Sequence, residues 1–286
     1  MKRVLSTYLF RDHRLTTALL GDIERAGIGG VELFCARSHF DYRSSPAVRE
    51  LAEWLKGHGL RVESLHAPTT RETSGRRENT VPISLSDVER VRRLDAVDET
   101  KRALDIAEAI PYLYLVQHLG TSRDPMTPQQ QEAAMNSLEH LCLYAKQRGV
   151  TIALENIPGE FAAPATLRAF VTDTHLPGLR LCFDTGHAHA GDGVTGGFEA
   201  MRDLVVTTHV HDNHGENDEH LLPYQGTIDW DAAMAAFRTA PSELPIVFEI
   251  RSSKESAAHA EGGTPLAQVV AAFERLERAA GRVAAA

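Results

Sequence analysis

Nine side chains able to bind metal ions or move protons stand at or just past the ends of short apolar runs. They are His66, His118, Glu155, Asp184, His187, His209, Asp218, His220 and Glu249. Imidazole nitrogens and carboxylate oxygens suit zinc, manganese, cobalt or iron. One such residue at a strand end is usually a hydrogen-bonded structural group. Nine of them, at six successive runs, are a different matter. Gathering Glu155, Asp184 and Glu249 in one pocket would bring three like charges together, and they cannot all stay ionised without compensation. A divalent cation supplies that compensation.

What must bring them together is a repeated unit. Eight β-branched or apolar runs alternate with amphipathic segments: Arg3–Leu9, Gly30–Phe34, Arg61–His66, Tyr112–Leu119, Thr151–Glu155, Leu179–Asp184, Val205–His211 and Ile246–Ile250. Nearly continuous apolar runs are the mark of parallel strands buried on both faces. Helix starts are signalled by Ser45-Pro46, Thr127-Pro128 and Thr264-Pro265, each a hydroxyl before a proline, and by the capping-box spacing of Ser86 and Glu89. Val48, Leu51, Ala52 and Leu55 share one helical face. Gly27, Gly59 and Gly149 sit where helices should stop. Strict alternation predicts an α/β fold, a (β/α)8 TIM barrel, with residues 1–286 as a single domain. An open doubly wound sheet would usually carry a Gly-rich phosphate loop after its first strand, and none is present. In a parallel barrel all strands end at one rim, so ligands nearly the whole chain apart become neighbours.

The net charge of −9 disfavours nucleic acid as a partner. Three widely spaced cysteines, Cys35, Cys142 and Cys182, argue against a disulfide framework and for a cytoplasmic setting. Met1 to Phe10 lacks the apolar stretch of a signal peptide, and no membrane span is expected. The polar segment from Ala67 to Leu85 reads as a mobile lid over the rim. His58, His140, His175 and His259 are expected at the surface or at caps, and His13 and His39 follow the first two strands. Glu32, inside the second strand, is placed to touch a substrate or to orient a ligand. His189, His211 and His214 lie close to the ligand positions. Glu32, His211, Tyr224 and Arg251 make up the expected substrate contacts.

The chain resembles the xylose isomerase-like barrel superfamily, which holds sugar isomerases and epimerases, some dehydratases and the endonuclease IV type of nuclease. Four stretches carry the likeness: Ala153-Leu154-Glu155-Asn156, Phe183-Asp184-Thr185-Gly186-His187-Ala188, His209-Val210-His211-Asp212-Asn213 with Asp218-Glu219-His220-Leu221, and Thr227-Ile228-Asp229-Trp230. The likeness runs from Gly30-Val31-Glu32-Leu33 to Phe248-Glu249. Epimerase-like members imply one metal held by Glu155, Asp184, His209 and Glu249. Nuclease-like members imply three. His66, His118 and Glu155 would hold one metal. A second would share Glu155 with Asp184, His209 and Glu249, and His187, Asp218 and His220 would hold the third. One to three divalent ions per chain are thus expected. Pro223-Tyr224-Gln225-Gly226 departs from the Pro-Gly-Glu-Gly common in relatives, so substrate contacts do not carry over there.

The resemblance implies a metal-dependent isomerase or epimerase of a small sugar or polyol, acting by proton abstraction through an enediolate, with Glu155 and Glu249 as base and acid. A dehydratase on a similar substrate and a metal-dependent phosphodiester hydrolase are the alternatives, followed by a sugar-binding protein without turnover. The partner expected is a sugar-like small molecule, and pairing with a second copy of the chain is left open.

Overall fold

A computed structural model describes residues 1–72, 80–251 and 265–283. Eight parallel strands close into a barrel: β1 Lys2–Ser6, β2 Gly30–Phe34, β3 Arg61–His66, β6 Tyr114–Gln117, β7 Thr151–Glu155, β8 Arg180–Asp184, β9 Val205–Val210 and β10 Pro245–Phe248. Two further strands, β4 Thr70–Glu72 and β5 Thr80–Pro82, form a separate antiparallel pair. Around the barrel the order is β1-β10-β9-β8-β7-β6-β3-β2, closing on β1. The fold is therefore the single TIM barrel expected.

The surrounding helices are α1 Thr17–Arg25, α2 Ser45–Lys56, α3 Arg90–Asp105, α4 Pro128–Lys146, α5 Pro164–Thr174, α6 Thr185–His189, α7 Val194–Met201, α8 Trp230–Phe237 and α9 Pro265–Val283. The longer helices bury apolar residues against the barrel. On α9, buried Leu266, Val269, Phe273 and Leu276 recur at helical spacing. Phe273 stacks on Phe248 of β10 with ring centroids 3.7 Å apart, and Arg3 of β1 ties to Glu277 at 2.6 and 3.0 Å. The last helix thus holds the two strands that close the barrel.

Several local expectations need correction. The first strand ends at Ser6, not Leu9, because the Ser6 hydroxyl accepts from the Tyr8 N–H and starts a 3-10 turn over Thr7–Phe10. The fourth, seventh and eighth strands also stop short of His118, His211 and Glu249. Ser86 does not cap α3. Glu89 does so, accepting from the N–H groups of Val91 and Arg92 at 3.0 and 2.9 Å, while the Ser86 hydroxyl donates to Asp124. Helix α2 is capped by Ser44, one residue early, and stops at Gly57 rather than Gly59. Thr127 caps α4 as expected, and Thr264 lies outside the described residues.

The segment read as a lid is anchored at both ends. β4 and β5 pair there, and Ala67, Ile83 and Leu85 are buried in the core. Its residues 73–79 lie outside the described residues. Cys35 and Cys182 are buried, Cys142 is half-buried, and all three are free thiols. Among the described residues no helix is long and apolar enough to cross a membrane.

Candidate metal centre

The strand ends bring the expected ligands into three overlapping groups. Within each group, one donor atom per residue lies within 4.8 Å of the others. The groups are His66, Glu155 and His209; Glu155, Asp184, His209 and Glu249; and His187, His211, Asp218 and His220. Donors around a tetrahedral zinc at about 2.1 Å stand about 3.4 Å from one another, so the groups would contract to hold an ion.

Glu155, at the end of β7 and fully buried, joins the first two groups. One of its oxygens accepts from His118 Nε2 at 3.0 Å and faces His66 Nε2 at 3.5 Å. The other accepts from His209 Nδ1 at 3.0 Å and faces His187 Nδ1 at 3.5 Å. Glu249 is held more loosely. Its nearest imidazoles are His209 at 3.5 Å, His220 at 3.7 Å and His66 at 3.8 Å. Asp184 accepts from the His187 backbone N–H at 2.7 Å, which caps α6, and from His211 Nε2 at 3.1 Å. Asn156 locks β7 to β8 through two bonds to the Asp184 backbone, 2.8 and 3.0 Å.

Three imidazoles are oriented by backbone carbonyls. Nδ1–H donates to Ala67 from His66 at 2.8 Å, to Asn156 from His187 at 2.9 Å and to Glu249 from His220 at 2.7 Å. A carbonyl only accepts, so Nδ1 keeps its proton and Nε2 is the nitrogen left to bind an ion. His209 is oriented differently. Its Nε2–H donates to Glu32 at 3.1 Å, which turns Nδ1 toward Glu155 and Glu249. Glu32 also accepts from the Ser64 hydroxyl at 2.8 Å. His220 adopts a left-handed backbone, φ 52°, a strained conformation for a residue with a Cβ.

The electrostatics match the donor set. Burial alone would push the His66 and His187 imidazoles down. Surrounding carboxylates outweigh it and hold them up at about 9 and about 10. His209 and His220 are raised in the same way. Burial works to raise Glu155, Asp184 and Asp218, but the facing imidazoles hold all three below the ordinary carboxylate range. Without an ion the pocket balances its carboxylates with protons on imidazoles. A divalent cation could take over that role, and the donor chemistry fits one.

The remaining sequence expectations separate. His118 joins through Glu155, although it falls outside the three compact groups. His211, expected as a substrate contact, stands within the third group, its Nε2 on Asp184 and 3.7 Å from Asp218. Strand alternation gave no signal for this, because β9 ends at Val210 and His211 lies beyond it. Glu32 lies fully buried behind His209 rather than at the open rim. Tyr224 is not brought to the cluster. Its ring packs near Trp230 and under the Arg275 guanidinium, 3.6 Å from the ring centroid. Arg251 sits on the rim and its backbone N–H donates to the His220 carbonyl at 2.8 Å.

His39 is buried against the His13 carbonyl, with Nδ1 donating at 2.6 Å. His189 bonds Thr227, and His214 bonds Glu219. His58 pairs with Glu24 and stacks on Trp54, and His175 ends α5. His259 lies outside the described residues. Two residues that the sequence did not single out also matter. The Tyr8 ring lies 4.8 Å from that of His220. Asp212 anchors the 212–230 loop, accepting from the Tyr224, Ile228 and Asn213 N–H groups and from the Trp230 indole.

Residues 20–278 match the xylose isomerase-like TIM barrel family, and the chain belongs to it. It is 26% identical over 207 residues to the uncharacterized protein y4fM of Sinorhizobium fredii, covering 67% of each chain. Among solved structures it is similar to a D-tagatose 3-epimerase-like protein, with TM-score 0.76 and 20% identity over 97% of this chain and 99% of that one. It is also similar to an IOLI protein with a bound zinc atom, with TM-score 0.75 and 16% identity over 99% of each. At these identities the structural likeness establishes the fold.

Proposed function

We propose that the chain is a divalent-metal-dependent isomerase or epimerase of a small sugar or related polyol. The observation that carries this reading is the compact, buried group of Glu155, Asp184, His209 and Glu249 at the barrel rim, three carboxylates and an imidazole. The epimerase-like neighbours support it. These four residues would hold a divalent ion, and such an ion would supply Lewis acidity that makes a C–H next to a carbonyl more acidic. Glu249 is the better base, because its nearest imidazole stands at 3.5 Å, whereas Glu155 already accepts two bonds at 3.0 Å. Glu249 would take the carbon-bound proton to give the enediolate, and Glu155 would return one to carbon after receiving it along its 3.0 Å hydrogen bond from His118. His187 and His211, both beside Asp184 at 3.5 and 3.1 Å, would relay a proton between substrate oxygens. A dehydratase would share the first step and then lose water.

The test is solvent deuterium exchange into candidate ketoses and inososes after loading with zinc or manganese. Glu249→Gln is expected to abolish exchange while the barrel stays folded. Full exchange by that variant would overturn the assignment.

One observation favours a second reading, phosphodiester hydrolysis. The third group, His187, His211, Asp218 and His220, adds to two groups that already share Glu155, as a trinuclear hydrolase requires. The net charge of −9 counts against a nucleic-acid substrate. Elemental analysis separates the two readings: about one ion per chain supports the sugar chemistry, and two or three support hydrolysis.

A further inference from the structure

Helix α3 keeps an apolar strip on the side away from the barrel. Its inner side buries Ala96, Val97, Thr100, Ala103 and Leu104. Its outer side carries Val91 and Leu94, 65% and 50% exposed, and Val88 just before the helix is 59% exposed. Val81 of β5 is exposed on the flank of the same helix, where it lines one groove with Arg71, Arg92 and Asp95. These four make up half of the large apolar side chains exposed among the described residues. Single apolar groups scattered over a surface are ordinary, but a strip of them rimmed by charge marks an interaction site.

The charges along the strip indicate what covers it. Arg90, Leu94 and Asp98 are all exposed and are spaced by four residues, so they lie along one ridge of the helix. The ridge reads cation, leucine, anion. A second copy laid antiparallel across it, with a two-fold axis at Leu94, reads anion, leucine, cation. Leucine then meets leucine, and Arg90 of each copy meets Asp98 of the other. A parallel arrangement would set like charges against each other and is disfavoured. Within its own chain Asp98 is held loosely, by Lys101 at 3.8 Å.

We propose that the chain forms a two-fold dimer through the outer face of α3, with Leu94 at the axis, Val88 and Val91 packed beside it, and an Arg90–Asp98 pair on either side. The interface is isologous, so one face serves both copies. A specific interface buries about 1,200–2,000 Å² in total, more than a single helix pair covers, so the β4–β5 hairpin beside the helix joins it. Arg71 of β4 ties that hairpin to Asp95 of α3. The chain reaches the hairpin shortly after His66, so pairing also steadies the segment that leaves the metal centre. The dimer does not depend on the proposed reaction.

Sedimentation velocity of the full chain over a range of concentrations tests the pairing. The wild-type protein is expected to pass from monomer to dimer as its concentration rises. Leu94→Asp should weaken the dimer about 100-fold or more, since the axis sets the two new carboxylates against each other. Arg90→Asp should weaken it about tenfold or more. Adding Asp98→Arg to that variant should restore the dimer, because the exchanged charges meet again across the axis. All three positions are exposed, so the variants are expected to fold, and unaltered far-UV circular dichroism checks this. A chain that stays monomeric at every concentration would overturn the proposal. So would a dimer indifferent to Leu94→Asp, or a charge-exchanged variant that stays as weak as Arg90→Asp.

Discussion

Replacing Glu32 by glutamine tests whether a carboxylate that cannot reach solvent governs the metal centre from behind. Glu32 is fully buried, and one of its oxygens accepts from both Ser64 and His209. Burial would raise its pKa, but His209 and the other facing groups hold it below the ordinary range, so it stands ionised. Its other oxygen is buried with no hydrogen-bond partner among the described residues. The side-chain amide of the Glu32→Gln variant can offer its oxygen to Ser64 and His209. Its NH2 must then occupy the place where no acceptor waits. A buried unsatisfied group costs about 1–3 kcal/mol, which sets the expected loss of stability in the metal-free protein. The second effect is on affinity. His209 loses the anion that fixes its tautomer and makes Nδ1 a stronger donor. Removing the outer partner of a metal-binding histidine costs about 10–100-fold in affinity, or about 1.4–2.8 kcal/mol. Competition against a chromophoric chelator measures the affinity, and thermal unfolding of the metal-free protein measures the stability. A folded Glu32→Gln protein with unchanged metal affinity would refute the view that His209 is a ligand held by Glu32.

Asp218→Asn should remove the carboxylate of the third group and leave Glu155, Asp184, His209 and Glu249 in place. Elemental analysis should still find at least one ion per chain, and loss of every ion would contradict the separation of the groups. Metal uptake at neutral pH should release protons, because His66 and His187 are held protonated up to about 9 and about 10 and must become neutral to bind an ion. The calorimetric heat of uptake should therefore vary with the ionisation enthalpy of the buffer, and a heat independent of buffer would exclude this. The same raised values set a sign for the metal-free protein. Their stabilising contribution is fully present below the unfolded imidazole value, about 6.5, and is lost as pH rises through about 9 to 10. Thermal unfolding from pH 6 to 10 should show the decline. Gly186→Ala should destabilise the protein by about 1–3 kcal/mol, since its methyl group would overlap the imidazole of His211. Urea unfolding should show a lower midpoint, and an unaltered midpoint would mean the ring moves aside freely.

The barrel was legible because strands buried on both faces carry almost uninterrupted apolar runs, and because the runs end in His66, Glu155 and Asp184 where the ladders also end. Closure then brings those residues together whatever the loops do. Details that depend on how the chain leaves a strand were not legible. Ser6 turns the chain into a 3-10 turn, and Glu89 outcompetes Ser86 as a cap because its carboxylate reaches two N–H groups at once. The placement of Tyr224 depends on its positive φ, 74°, and on its N–H being held by Asp212, neither of which leaves a sequence pattern.

His211 shows where the two kinds of information divide. Its spacing from His209 places both on one face of a continuous strand, which suggests that they serve one site. The strand pairing, however, ends at Val210. His209 stays within the ladder, pinned from behind by Glu32, and faces Glu155 and Glu249. His211 has left it. Thr185 fixes the His211 backbone from both sides, its hydroxyl donating to the carbonyl at 2.8 Å and accepting from the N–H at 3.1 Å. The imidazole then lies in the space that Gly186 leaves open and meets Asp184 and Asp218. Two histidines separated by one residue therefore serve two different groups. The choice between them is made by the short helix that follows β8, through the absence of a side chain at Gly186 and the hydroxyl beside it.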